Sequence, residues 1–109
     1  MTGFFVDKTN CTQKTIFPGV KIHTAAGERM MLSLAEFEPD AVVEAHSHPH
    51  EQVGIVLEGE ARFIVGDEER VLSPGDMYTI PGGVTHRVVA TGEGLKALDI
   101  FHPIREDYL

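Results

Sequence analysis

Three histidines and a glutamine crowd into His46-Ser47-His48-Pro49-His50-Glu51-Gln52, in a chain with six histidines in all. On an extended strand alternate side chains share a face, so His46 and His48 point the same way, close enough to hold one ion. Imidazole nitrogen is a good ligand for zinc, copper, iron and nickel. A third imidazole is available from His86, which follows Pro81-Gly82-Gly83-Val84-Thr85. A His-x-His pair alone is a weak sign, because such pairs also occur on solvated loops. Its coupling to a second histidine framed by glycine and proline makes the sign strong. His50 has the alternation parity of His48, but Pro49 interrupts the strand, so His50 is assigned to the rim rather than to the ligands. His23 and His102 have no motif around them and default to packed or solvated histidines. Glu51 is expected on the outer side.

The elements that must position these residues are strands. Apolar and β-branched runs lie at Ile16–Thr24, Met30–Phe37, Val53–Leu57, Ala61–Val65, Val71–Leu72, Met77–Ile80, Arg87–Ala90 and Leu95–Phe101. The first holds a Pro18-Gly19 punctuation and is followed by the turn Ala25-Ala26-Gly27. The next six end at Glu38-Pro39-Asp40, Glu58-Gly59-Glu60, Gly66-Asp67, Ser73-Pro74-Gly75, Pro81-Gly82-Gly83 and Thr91-Gly92-Glu93-Gly94, and Leu95–Phe101 is the last. Many short strands at regular spacing, with no sustained 3.6-residue periodicity, predict an all-β barrel or sandwich. Within Val53–Leu57 both faces are apolar. If Gln52 shares the face of His46 and His48, then Gly54 and Val56 do too, and Val53, Ile55 and Leu57 lie opposite. Both faces then require cover. A lumen covers one, and a second subunit would cover the other, so a homodimer is expected. The patch Phe4-Phe5-Val6 in a polar N-terminal arm, about 1–13, is a candidate docking strand for a neighbouring sheet edge.

A chain of 109 residues reads as one domain. Its net charge of −8 opposes binding to nucleic acid or to anionic membranes. A lone cysteine, Cys11, makes no intrachain disulfide, which fits a reducing compartment. The first ten residues lack a basic segment followed by an apolar run, and no stretch is long enough to span a membrane. The expectation is a soluble, cytoplasmic protein.

The two histidine motifs together resemble those of the cupins. In the first motif, G-x5-H-x-H-x3,4-E-x6-G, this chain has Asp40, His46, His48, Gln52 and Gly59. In the second, G-x5-P-x-G-x2-H-x3-N, it has Gly75, Pro81, Gly83, His86 and Ala90. The motifs occupy residues 40–59 and 75–90. The resemblance implies a cupin double-stranded β-helix, a jelly-roll barrel, spanning residues 1–109. It also implies one divalent transition metal per chain (zinc, nickel, manganese or iron) held by His46, His48, Gln52 and His86. Asp40 and Ala90 depart from the motif at positions not expected to touch the metal. Gln52 replaces a glutamate, and that has a consequence: three neutral imidazoles and a neutral carbonyl leave the ion its full formal charge. Such a site is a stronger Lewis acid and attracts anions.

The stretch Leu98-Asp99-Ile100-Phe101-His102-Pro103-Ile104-Arg105-Glu106-Asp107-Tyr108-Leu109 is the second informative one. By alternation Asp99 and Phe101 share one face and Leu98 and Ile100 the other. A carboxylate inside an apolar strand is costly unless it is paired, here with Arg105 or Arg87, or is at work. The tail at 102–109 is rich in Pro, Ile, Tyr and Leu, which predicts that it folds back onto the body. Asp-x-Phe-x-Pro-x-Arg-Glu-Asp, with glutamine in the cupin glutamate position, is similar to the pectin-degradation (KdgF-type) cupins. Those proteins convert 4,5-unsaturated uronates to linear 4-deoxy-5-keto uronates. By that resemblance Asp99 and Arg105 are catalytic, and Phe101 and Arg105 contact a small anionic sugar. His102 stands where a serine is common. Two rival readings are a metal-dependent cupin dioxygenase and a non-catalytic metal- or sugar-binding module. Asp99 separates them, because binding alone needs no buried acid beside a metal.

Overall fold

The computed structural model describes residues 3–109, so Met1 and Thr2 of the N-terminal arm lie outside the described residues. Eight strands follow one another: β1 (Thr12–Phe17), β2 (Val20–Ala26), β3 (Met31–Phe37), β4 (Val42–His46), β5 (Glu51–Val65), β6 (Glu68–Leu72), β7 (Met77–Ile80) and β8 (His86–His102). A 3₁₀ turn, Glu106–Tyr108, closes the chain. No helix among the described residues is long and apolar enough to cross a membrane.

Two of the predicted strand breaks are not breaks. Glu58-Gly59-Glu60 lies inside β5, which has 15 residues, and Thr91-Gly92-Glu93-Gly94 inside β8, which has 17. The two glycine bends face each other. Gly59 has φ +79° and Gly94 φ +73°, and a Cβ on Gly59 would lie 2.1 Å from the Gly94 carbonyl oxygen. Glycine is needed here both for the left-handed backbone and for the close approach. The register shifts on either side of Gly59, between Val56 and Glu58 and between Gly59 and Ala61, so both strands turn together instead of ending.

These two long strands divide the molecule. The N-terminal half of β5 pairs with β7 and with the C-terminal half of β8, which continues to β3, β2 and β1. The C-terminal half of β5 pairs with β6 and with the N-terminal half of β8, which carries β4. The two halves fold over one core. Val20, Ile22, Ala35 and Phe37 from the first half meet Val43, Phe63 and Val88 from the second.

The closed barrel expected from the sequence is not formed. The hydrogen-bonded path runs β1-β2-β3-β8-β5-β6 with β4 and β7 as branches, and it does not return on itself. Among the described residues β1, β4, β6 and β7 each pair with a single neighbour. The sheet therefore buries one face by bending over, while its edges stay open. Glu68, Glu69 and Arg70 on β6 and Lys14 on β1 place charge along two of these edges, which disfavours further pairing.

The predicted alternation on the central strands holds. Gln52 and Val56 are buried, Leu57 is exposed, and Val53 and Ile55 face outward, half-buried. Across the sheet, Leu32, Ile100 and Val53 lie in one row and Leu34, Leu98, Ile55 and Met77 in the next, so the outer face is broadly apolar. The tail folds back as expected. Lys14 Nζ donates to the Asp107 carbonyl at 2.8 Å, and Thr24 Oγ1 donates to the Tyr108 carbonyl at 2.8 Å.

Candidate metal centre

His46 is the last residue of β4 and sits opposite His86, the first residue of β8. His48 follows in the loop before β5, and Gln52 is the second residue of β5. The ligand nitrogens of His46, His48 and His86 all lie within 4.8 Å of one another, with His48 and His86 buried. A short loop and three strand ends are enough to bring together His46 and His86, 40 residues apart in sequence. Gly82 allows the approach of the two loops, since a Cβ there would lie 2.3 Å from the Pro49 carbonyl oxygen.

Hydrogen bonding decides which nitrogen each ring offers. Nδ1 of His46 faces the Glu44 carbonyl at 2.9 Å, Nδ1 of His48 the His50 carbonyl at 3.0 Å, and Nδ1 of His86 the Val84 carbonyl at 2.9 Å. A carbonyl oxygen only accepts, so each Nδ1 carries the proton and each Nε2 presents a lone pair. That outer support is what metal-bound imidazoles require. The Gln52 Oε1 atom stands 3.1 Å from Nε2 of His48. Two acceptors face each other there, and a divalent ion held by both would relieve the repulsion. The donor set of three nitrogens and one amide oxygen therefore fits one divalent ion, without fixing its identity.

Burial, then the positive charges of Arg105 and His86, lowers the His48 imidazole to about 4. His86 is also lowered, first by burial. Both rings are therefore neutral and ready to bind a metal at neutral pH.

Asp99, Phe101 and Arg105 line the same interior cavity as His46, Gln52 and His86, with a free volume of about 50 Å³. That is several times the ~10–15 Å³ one water needs. Asp99 forms no ion pair among the described residues. Arg87 is taken by Glu44 at 3.0 Å and Arg105 by Asp107 at 2.8 Å. Asp99 instead accepts from the Tyr78 hydroxyl, which donates to Oδ1 at 2.5 Å. Burial raises the Asp99 carboxyl to about 6, against the pull of hydrogen bonds from Tyr78 and Gln52 and the charge of Arg105. The net rise is worth about 3 kcal/mol against the ionised form. Burial, then the charge of Asp99, pushes the Tyr78 phenol further up, so it stays a donor. Arg105 is buried, with its guanidinium 3.8 Å from the Tyr108 ring centroid and 5.1 Å from that of Phe101.

Tyr78 and Tyr108 were not among the residues expected at the site. The remaining histidines fall outside the cluster. His50 is half-buried with an unpartnered Nδ1, and its ring lies 5.6 Å from that of His48. His23 packs on the outer side against Glu36 at 2.9 Å, and His102 is exposed.

A two-half, all-β fold with this histidine cluster defines a metal-binding cupin enzyme, and the cupin-domain family matches residues 33–101. The chain belongs to that family. Within it the chain is 33% identical over 90 residues to the pectin degradation protein KdgF of Dickeya dadantii (strain 3937), covering 82% of this chain and 81% of that one. The structure of KdgF from a Halomonas species superposes with a TM-score of 0.88 at 31% identity, over 99% of this chain and 100% of that one. An RmlC-like cupin from Shewanella frigidimarina NCIMB 400 gives a TM-score of 0.89 at 29% identity, over 99% and 97%.

Proposed function

We propose that the protein opens the ring of 4,5-unsaturated uronate monosaccharides and delivers linear 4-deoxy-5-keto uronates. The observation that carries this reading is Asp99, a buried carboxyl without an ion-pair partner, lining the same cavity as His46, Gln52 and His86. A binding module has no use for it, and a proton carrier near pH 6 suits general acid–base work at neutral pH. The likeness to KdgF supports the substrate class.

The substrate is a cyclic hemiacetal whose ring oxygen is attached to a C4=C5 double bond. Ionised Asp99 accepts the proton of the C1 hydroxyl as the bond from C1 to the ring oxygen breaks. The aldehyde forms at C1, and the electron pair stays on the C5 oxygen as an enolate. Protonated Asp99 then returns the proton to C4, and the C5 ketone forms. Nothing is oxidised and no water is consumed. A divalent ion held by His46, His48, Gln52 and His86 would supply Lewis acidity toward substrate oxygen. Asp107 occupies Nε and Nη2 of Arg105, at 3.3 and 2.8 Å. This leaves the Nη1 end for the substrate carboxylate, and Phe101 forms an apolar wall beside it. Metal-loaded protein should abolish the ultraviolet absorbance of an unsaturated galacturonate. Unchanged absorbance with metal-replete protein would overturn the proposal.

The active form we propose is a homodimer. Met77 is 74% exposed and Leu32 46% on the apolar outer sheet face. Phe4 and Val6 flank a groove on that side shared with Leu32 and Ile100, and Phe5 is 91% exposed. A second copy presents the same apolar rows and the same aromatic arm, so a two-fold pairing covers both at once. Light scattering at micromolar concentration should return twice the chain mass. A monomer mass would count against it.

A further inference from the structure

We infer that Tyr78 is a positioning residue for Asp99 and that Gly54 is the gap through which it acts. The inference rests on the proposed role of Asp99 as proton carrier. Gly54 of β5 lies opposite Tyr78 of β7 on one side and opposite Asp99 of β8 on the other. Directly opposed residues share a sheet face, so the three form one inward row. Side chains on the two outer strands of such a row are normally separated by the side chain between them. Here there is none, and the Tyr78 hydroxyl reaches Asp99 Oδ1 at 2.5 Å. A Cβ on Gly54 would lie 2.4 Å from Tyr78 Cζ and Oη and 2.5 Å from Asp99 Oδ1. The backbone of Gly54 is not in the left-handed region, so it is space that glycine provides here. The Tyr78 ring is itself held against Phe63, with centroids 4.6 Å apart.

The torsion that turns a carboxyl group is broad and nearly two-fold. The hydrogen bond from a fixed phenol commits Oδ1 to Tyr78 and, together with the Gln52 amide, selects one orientation of the carboxyl. Proton transfer depends steeply on such placement. Tyr78 touches no substrate in this scheme and acts through Asp99.

The test is a double-mutant cycle. Tyr78→Phe keeps the ring on Phe63 and removes the donor. It should lower kcat roughly 10–100-fold with KM and bound metal little changed. In an Asp99→Asn background the same substitution should cost nothing further, because residues acting as a unit are not additive. Equal losses in both backgrounds would reveal a merely structural role and overturn the inference. A second measurement needs no substrate. The chain has two tyrosines, so Tyr108→Phe leaves Tyr78 as the sole source of the tyrosine Raman doublet. The intensity ratio should be that of a strong donor and should change on adding Asp99→Asn. An unmoved ratio sinks the contact whatever the substrate. Absence of uronate turnover in every form, with the ratio moving as expected, would instead count against the proposed reaction.

Discussion

Asp99→Asn should lower turnover of the unsaturated uronate by roughly 10²–10⁴-fold while leaving bound metal intact. Asparagine keeps the shape and offers Tyr78 only a weaker, neutral acceptor, and it neither takes nor gives the proton. The size of the loss follows from the environment. Asp99 is the buried carboxyl in the cavity, whereas Asp107 is exposed and paired with Arg105. Arg105 and the imidazoles with lowered pKa offer no equivalent proton carrier at neutral pH. Stopped assays with metal content determined on the same samples decide the point. Near-normal turnover by metal-replete Asp99→Asn would remove Asp99 from the chemistry.

The metal cluster was legible because its information is local. His46 and His48 share a face by strand alternation, and the Gly/Pro frame around His86 marks a turn that returns to them. Asp99 and Phe101 were placed on one shared face by the same period of two, and the cupin resemblance made it the face of the site. Tyr78 was not legible. Its contact with Asp99 is made across a third strand, and pairing registers among β7, β5 and β8 are not written in any one segment. Gly54 is the trace of it in sequence, a glycine inside a strong strand, which often marks a close approach. The continuity of β5 and β8 was hidden for a related reason. Gly59 and Gly94 look like strand ends one at a time and are bends only because each faces the other. The open sheet was equally out of reach. Hydrophobic alternation names the strands and their inner faces, but closure depends on whether β1 and β6, at the ends of the path, meet.

His48→Ala should remove most of the bound metal, read as the metal-to-protein ratio by elemental analysis, and a His46/His48 double alanine variant should bind none. Metal at unchanged stoichiometry in the double variant would place the ion elsewhere. pH gives a second reading of the same site. Folded His48 titrates at about 4 against 6.5 for the free group. The neutral ring is the form the fold favours. The metal-free protein therefore has this contribution in full above 6.5 and loses it as pH falls toward 4. Its melting temperature should decline over that window, and the decline should be smaller in His48→Ala. Gln52→Glu tests the charge of the site. The glutamine amide serves two neighbours, with its oxygen toward His48 and its N–H toward Asp99. A glutamate keeps the oxygen for the metal, so metal should be retained. It also sets a second carboxylate against Asp99 and cancels one charge of the ion. Anionic ligands should then bind more weakly, and calorimetry with a uronate should show it. Unaltered anion affinity in metal-replete Gln52→Glu would mean that Arg105, and not the charge left on the ion, governs carboxylate binding.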